Sequence, residues 1–229
     1  MENLYYSNII YLVSFLITLI AQIFVSSSYS RYKKILNSKD NTGYDTARKI
    51  LDKNNLEDVM ILETKGNLTD HYDPKKKVIK LSTDIYHGSS IASAAVAAHE
   101  CGHAIQDKNK YIPMRIRSAI VPFVNICTRL GYLAILIGLI FNRAPLLEAG
   151  IILLLAMLVF QLITLPVEFN ASKRALNELE KEKILDKEEK GNARNMLVAA
   201  AFTYVASVLS TLLQIFRLVL ISSSSDRRH

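Results

Sequence analysis

The chain has 229 residues, half of them hydrophobic, no tryptophan and a net charge of +7. That length suits one or two small domains, and two cysteines, Cys101 and Cys127, exclude a disulfide framework and suit a reducing compartment. The apolar residues are segregated into four long runs, Asn8–Val25, Ala119–Phe141, Leu146–Leu165 and Met196–Ile221. A single soluble core rarely supplies four such runs, so the expectation is an integral membrane protein crossing the bilayer four times.

Taken in order, the first run follows "MENLYY", which has an acidic residue and no Lys or Arg. A cleaved signal needs a positive start, so this run reads as a retained span, although the serines of "VSSSYS" leave room for a cleavage site. "TGYDTARKILDKNNL" then reads as an amphipathic helix with Ala47, Ile50 and Leu51 on one face. "DVMILET" and "KVIKLST" are β-like, and the turn formers of "KGNLTDHYDPKK" between them predict a hairpin over 59–83. A helix is predicted from Ser90 to Asp107, with Ser89 or Ser90 as its N-cap.

The second span carries Pro122, Asn125 and Arg129. A central arginine costs about 2.5–3.5 kcal/mol on insertion scales, so Arg129 faces protein or a wet cavity, or the crossing begins after it. The stretch "GIILLLAMLVFQLITL" of the third span is free of charge, and the chain continues past Pro166 as a charged helix, "LPVEFNASKRALNELEKEKIL". "DKEEKGNARN" returns the chain to the last span, and the serine run before "DRRH" reads as a short irregular tail.

Sixteen Lys and Arg fall in 26–118 and seven in 169–196, together 23 of the 28. With four spans these two segments share one side, and the juxtamembrane clusters "RYKK" and "SKR" place it in the cytoplasm. The expected organisation is a first transmembrane helix in 1–25 and a cytoplasmic domain in 26–118, the part that holds the 90–107 helix. Two spans follow in 119–165, then a cytoplasmic helical segment in 166–195 and a last span with its tail in 196–229. The membrane is expected to be the plasma (inner) membrane. The fold class is an α-rich membrane protein with a small α+β zincin-like domain, built from the 90–107 helix and a short β-hairpin.

The chemistry lies in "AVAAHECGHAIQ". On a helix His99 and His103 stack one turn apart, and two neutral imidazoles at that spacing can share one zinc ion. Glu100, about 100° around the helix, is placed as a general base rather than a ligand, which is the H-E-x-x-H arrangement of metalloproteases. The alanines and Gly102 allow close approach of other backbone segments; Gly102 costs roughly 0.5–1 kcal/mol against Ala inside a helix. A helix that merely turned two polar residues to solvent would carry Lys and Glu around them, not Ala and Val. A third protein ligand is needed. His71, His87, Glu168 and the acids of 178–189 are candidates, the last more simply a solvated helix face.

Together "TGYDTARKIL", "LTDHYDPKKKVIKLS", "SIASAAVAAHECGHAIQ" and "LPVEFNASKRAL" resemble the YugP-type membrane-bound zinc metallopeptidases over most of residues 42–175. The resemblance implies one zinc per chain, held by His99, His103 and Glu168, with Glu100 as base. The layout is also similar to the HtpX-type and CAAX-prenyl proteases, where the third-ligand Glu opens an E-x-x-x-D pattern. Here the final position is Ser172, and Asn170 lies between, so a carboxylate orienting a ligand histidine would have to come from elsewhere.

The function expected is therefore a membrane zinc endopeptidase acting on a peptide or protein substrate, in contact with the lipid bilayer and with no nucleic-acid partner. Substrate would add as a strand to an edge of the 59–83 segment, with His71, Tyr72 or Arg174 as donor to the developing oxyanion. A different class, a non-catalytic zinc-stabilised membrane scaffold or adaptor, has no need of Glu100. A transporter would want several charges deep within spans, where Arg129 and Arg217 are found and Glu148 stands near the start of the third.

Overall fold

A computed structural model describes residues 2–141 and 143–226. In chain order the elements are α1 (Glu2–Tyr32), α2 (Gly43–Lys53), β1 (Met60–Thr64), β2 (His71–Asp73), β3 (Val78–Ser82), α3 (Thr83–His87), α4 (Ile91–Lys108), α5 (Ile112–Ile140), α6 (Ala144–Lys181) and α7 (Lys187–Asp226). Among the described residues, four helices are long and apolar enough to cross a membrane: α1, α5, α6 and α7. With one small three-stranded sheet as well, the protein is an α-rich membrane protein with a small α+β portion. The serine run at 222–225, expected as an irregular tail, is helical within α7. Once a helix is nucleated, each further residue adds a hydrogen bond at little cost, so a long span can carry poor formers at its end. The remainder of "DRRH", residues 227–229, lies outside the described residues.

The chain divides into two units. One comprises residues 1–22, 116–165 and 203–229. Within it Leu147 and Leu154 are buried with Ile135 and Leu218, while Phe15, Phe123, Leu162 and Phe216 point outward. Apolar residues on both sides of a helix suit a lipid surround. Small and polar residues join the helices, as expected where lipid removes the hydrophobic drive. A Cβ on Gly131 would lie 3.3 Å from the Gly150 carbonyl oxygen. Ser14 Oγ donates to Ser210 O at 3.4 Å, and the Thr18 and Ser210 hydroxyls are 2.9 Å apart. Arg217 Nε donates to Ser7 Oγ at 3.0 Å and its guanidinium lies over the Tyr11 ring. Arg129 is on the exterior of this unit.

The other unit comprises residues 23–115 and 166–202. Its α2 starts at a capping box: Thr42 Oγ1 accepts from Asp45 N, and Asp45 Oδ2 accepts from Thr42 N, each at 3.0 Å. The predicted face of Ala47, Ile50 and Leu51 is wholly buried. Ser90 is the N-cap of α4, its hydroxyl accepting from Ser93 N at 3.1 Å.

The sheet differs from the predicted hairpin. β1 pairs with β3 in parallel, Met60 opposite Val78, and β2 pairs with β3 antiparallel, His71 opposite Lys80, giving the order β1-β3-β2. The hairpin is thus the short β2–β3 pair, whose turn is set by Asp73 Oδ1 accepting from the amides of Lys75 and Lys76. β3 is central because "VIKLS" is buried along nearly its whole length, so both of its edges need partners.

Candidate metal centre

α4 carries the histidines on a helix that is alanine where it packs. Ala94, Ala95, Ala97 and Ala98 have no exposed surface, and α2 lies against them. α6 runs on without a break at Pro166, and a stripe of Val167, Ala171, Ala175 and Leu179 is fully buried. The two helices meet backbone to backbone at Gly102, where a Cβ would lie 2.5 Å from Ala171 O. That approach brings Glu168, one turn before Ala171, to the histidines.

The His99 and His103 rings are 4.8 Å apart and nearly perpendicular. Glu168 Oε2 lies 3.3 Å from His99 Nε2 and 3.6 Å from His103 Nε2. One ligand atom from each of the three residues falls within 4.8 Å of the other two, and His103 and Glu168 are buried. Ligands about 2.0–2.1 Å from a shared tetrahedral ion would stand roughly 3.3–3.4 Å from each other. The observed separations match that edge better than a hydrogen bond, which peaks near 2.9 Å. The donors suit the metal as well: two imidazole nitrogens and a carboxylate are the ligands zinc takes.

The outer nitrogens are engaged. His99 Nδ1 is 3.2 Å from Ser172 Oγ and His103 Nδ1 is 3.0 Å from Gln106 Oε1. Both Nε2 atoms are thereby turned to Glu168. The carboxylate expected behind the histidines is replaced by a hydroxyl and an amide. Gln106 itself is fully buried, its Nε2 donating to Val167 O at 2.7 Å and to Asn170 Oδ1 at 3.0 Å. Arg174 Nε donates to the same Asn170 Oδ1 at 2.7 Å. Sequence reasoning missed Gln106, although it stands three residues after His103 on the same face of α4.

Glu100 is buried beside the cluster. Burial, first, raises its carboxyl to about 7; nearby His99 opposes this, Glu168 and Asp70 add to it, and His71 opposes it. A carboxyl poised near neutrality suits a group that takes up and releases a proton.

The other candidates are placed elsewhere. His71 is exposed on β2 with Nδ1 2.8 Å from Thr69 O, and His87 is exposed with Nε2 3.3 Å from Glu63 Oε2. Neither joins the metal-competent group found among the described residues. The Tyr72 hydroxyl donates to Asp107 Oδ2 at 2.9 Å. Burial and then that bond hold its phenol well above the ordinary range. In the 178–189 segment, Glu178 accepts from Asn54, Glu180 pairs with Lys190, and Glu189 accepts from the Ser38 and Asp186 amides.

Two histidines one turn apart and a carboxylate from another helix are the donor set of the H-E-x-x-H class of zinc peptidases. The chain belongs to the family described as "Putative neutral zinc metallopeptidase", whose model matches residues 7–223. It is 43% identical over 201 residues to the "Putative membrane protease YugP" of Bacillus subtilis (strain 168), covering 88% of this chain and 89% of that protein. No solved structure matches.

Proposed function

We propose that this protein is a zinc-dependent endopeptidase of the plasma membrane that hydrolyses peptide bonds in a peptide or protein substrate, with its catalytic segments, 26–118 and 166–195, in the cytoplasm. The observation that carries this reading is the convergence of His99, His103 and Glu168 within 4.8 Å, next to the buried carboxyl of Glu100. One zinc ion per chain would be held by those three residues. Bound there, it supplies Lewis acidity that acidifies water and polarises the scissile carbonyl. Glu100 takes the proton from the attacking water on a carboxylate oxygen and returns it to the leaving amine. The free edge of β2 takes the substrate as an added strand. Of the three candidate oxyanion donors, His71 is the one exposed on that strand. The cytoplasmic side follows from the clustering of Lys and Arg beside the spans.

The test is metal analysis and peptide cleavage on detergent-purified protein, wild type beside Glu100→Gln. Stoichiometric zinc in both with cleavage only in the wild type supports the reading. No zinc in the wild type, or equal cleavage by both, overturns it.

A further inference from the structure

Behind the candidate metal ligands runs a chain of hydrogen bonds, His103–Gln106–Asn170–Arg174, whose direction can be read from its fixed ends. Arginine has only donors, so the atom facing Arg174 Nε at 2.7 Å must be the Asn170 carbonyl oxygen. A backbone carbonyl only accepts, so the Gln106 atom 2.7 Å from Val167 O must be its amide nitrogen. The same nitrogen lies 3.0 Å from Asn170 Oδ1, so both of its N–H bonds are used on acceptors whose polarity is settled independently. The Gln106 oxygen is therefore the atom facing His103 Nδ1, 3.0 Å away. An amide oxygen cannot donate, so a neutral His103 must carry its proton on Nδ1.

We infer that Gln106, aligned by Val167 O and by the Asn170–Arg174 pair, is a positioning residue that fixes His103 as the Nδ1–H tautomer and so presents a bare Nε2 lone pair toward Glu168. Gln106 has no solvent-exposed surface, and leaving its amide unsatisfied there would be costly, which makes flipping it unfavourable. His99 has no such device. Its Nδ1 meets Ser172 Oγ, a hydroxyl that both donates and accepts. The two histidines of the motif are thus unequal: one is locked before any metal arrives, and the other can adjust.

This inference rests on the zinc-site reading for its purpose but not for its test. Histidine-selective ¹⁵N labelling of the full-length protein in detergent, stripped of metal and held at about pH 8 where an ordinary imidazole is neutral, distinguishes the tautomers by their long-range ¹H–¹⁵N correlations. The expected spectrum shows His103 protonated at Nδ1. Gln106→Met should move the proton toward Nε2 and weaken zinc binding about 10–100-fold, the usual effect of losing a group behind a ligand histidine. Asn170→Asp, which keeps an acceptor for both Gln106 and Arg174, should retain the Nδ1–H signature, whereas Asn170→Leu should blur it. Finding His103 protonated at Nε2 in the metal-free wild type would overturn the inference, and that measurement needs no variant to fold. Equal zinc affinity of wild type and Gln106→Met would overturn it too. A wild type with the Nδ1–H form that nonetheless binds no zinc would uphold the inference and count against the zinc-site reading instead.

Discussion

Gly102 and Ala171 are in backbone contact: a Cβ built on Gly102 would stand 2.5 Å from the Ala171 carbonyl oxygen and 3.1 Å from its Cα. The obstacle is main chain and cannot rotate away. Ala gains about 1 kcal/mol in helix propensity over Gly, but overpacking costs roughly 1–3 kcal/mol. Gly102→Ala is therefore expected to lower the Tm and to weaken zinc binding, because displacing Ala171 carries Glu168 with it. Gly191 in α7 is the control. A Cβ there meets nothing within 4 Å, so Gly191→Ala should stabilise by about 0.5–1 kcal/mol. Thermal unfolding and zinc titration of the two variants check both signs.

The ligand set is separable from its rivals. His99→Ala, His103→Ala and Glu168→Gln should each abolish stoichiometric zinc, since two remaining ligands hold the ion poorly. His71→Ala should keep the metal, because His71 is exposed and engaged with Thr69 O. Zinc content of the four purified variants, measured together, decides between Glu168 and His71.

Glu100→Gln should retain zinc and fold while losing proteolysis about 10²–10⁴-fold, the range for removing a general base. The amide is of similar size and neutral, and burial already favours the neutral form of Glu100. Cleavage kinetics with a metal assay on the same sample separate this from loss of the ion.

Orientation can be read by thiol labelling. Arg143→Cys should react with an impermeant reagent added outside cells, and Lys110→Cys should not. Background labelling should be low, because Cys101 and Cys127 are buried and burial pushes the Cys101 thiol up. The reverse pattern would place the catalytic segments outside.

The sequence by itself determined the spans and the helix of the H-E-x-x-H motif, and narrowed that helix's cap to Ser89 or Ser90, because each is written in residues close together along the chain. Four apolar runs correspond to four long helices, and His99 and His103 share a face by spacing alone. Ala47, Ile50 and Leu51 likewise lie on the buried face of α2 by periodicity. What joins distant segments was decided only by the tertiary structure. "MILET" and "VIKLS" carry the same β-like signal whether they pair parallel or antiparallel, so strand direction was settled by the burial of β3 and the need to pair both of its edges. The approach of α6 to α4 at Gly102, which sets Glu168 against the histidines, depends on a contact 69 residues away in sequence. Gln106 gave no signal of its own, and Ser172 was marked only as the residue standing where the resemblance has a carboxylate; an amide and a hydroxyl are ordinary residues until folding puts them 3.0 and 3.2 Å from the outer nitrogens of His103 and His99. Hydrogen bonds of that kind act only at short range and in one geometry, so their partners are selected by three-dimensional packing and not by composition or period.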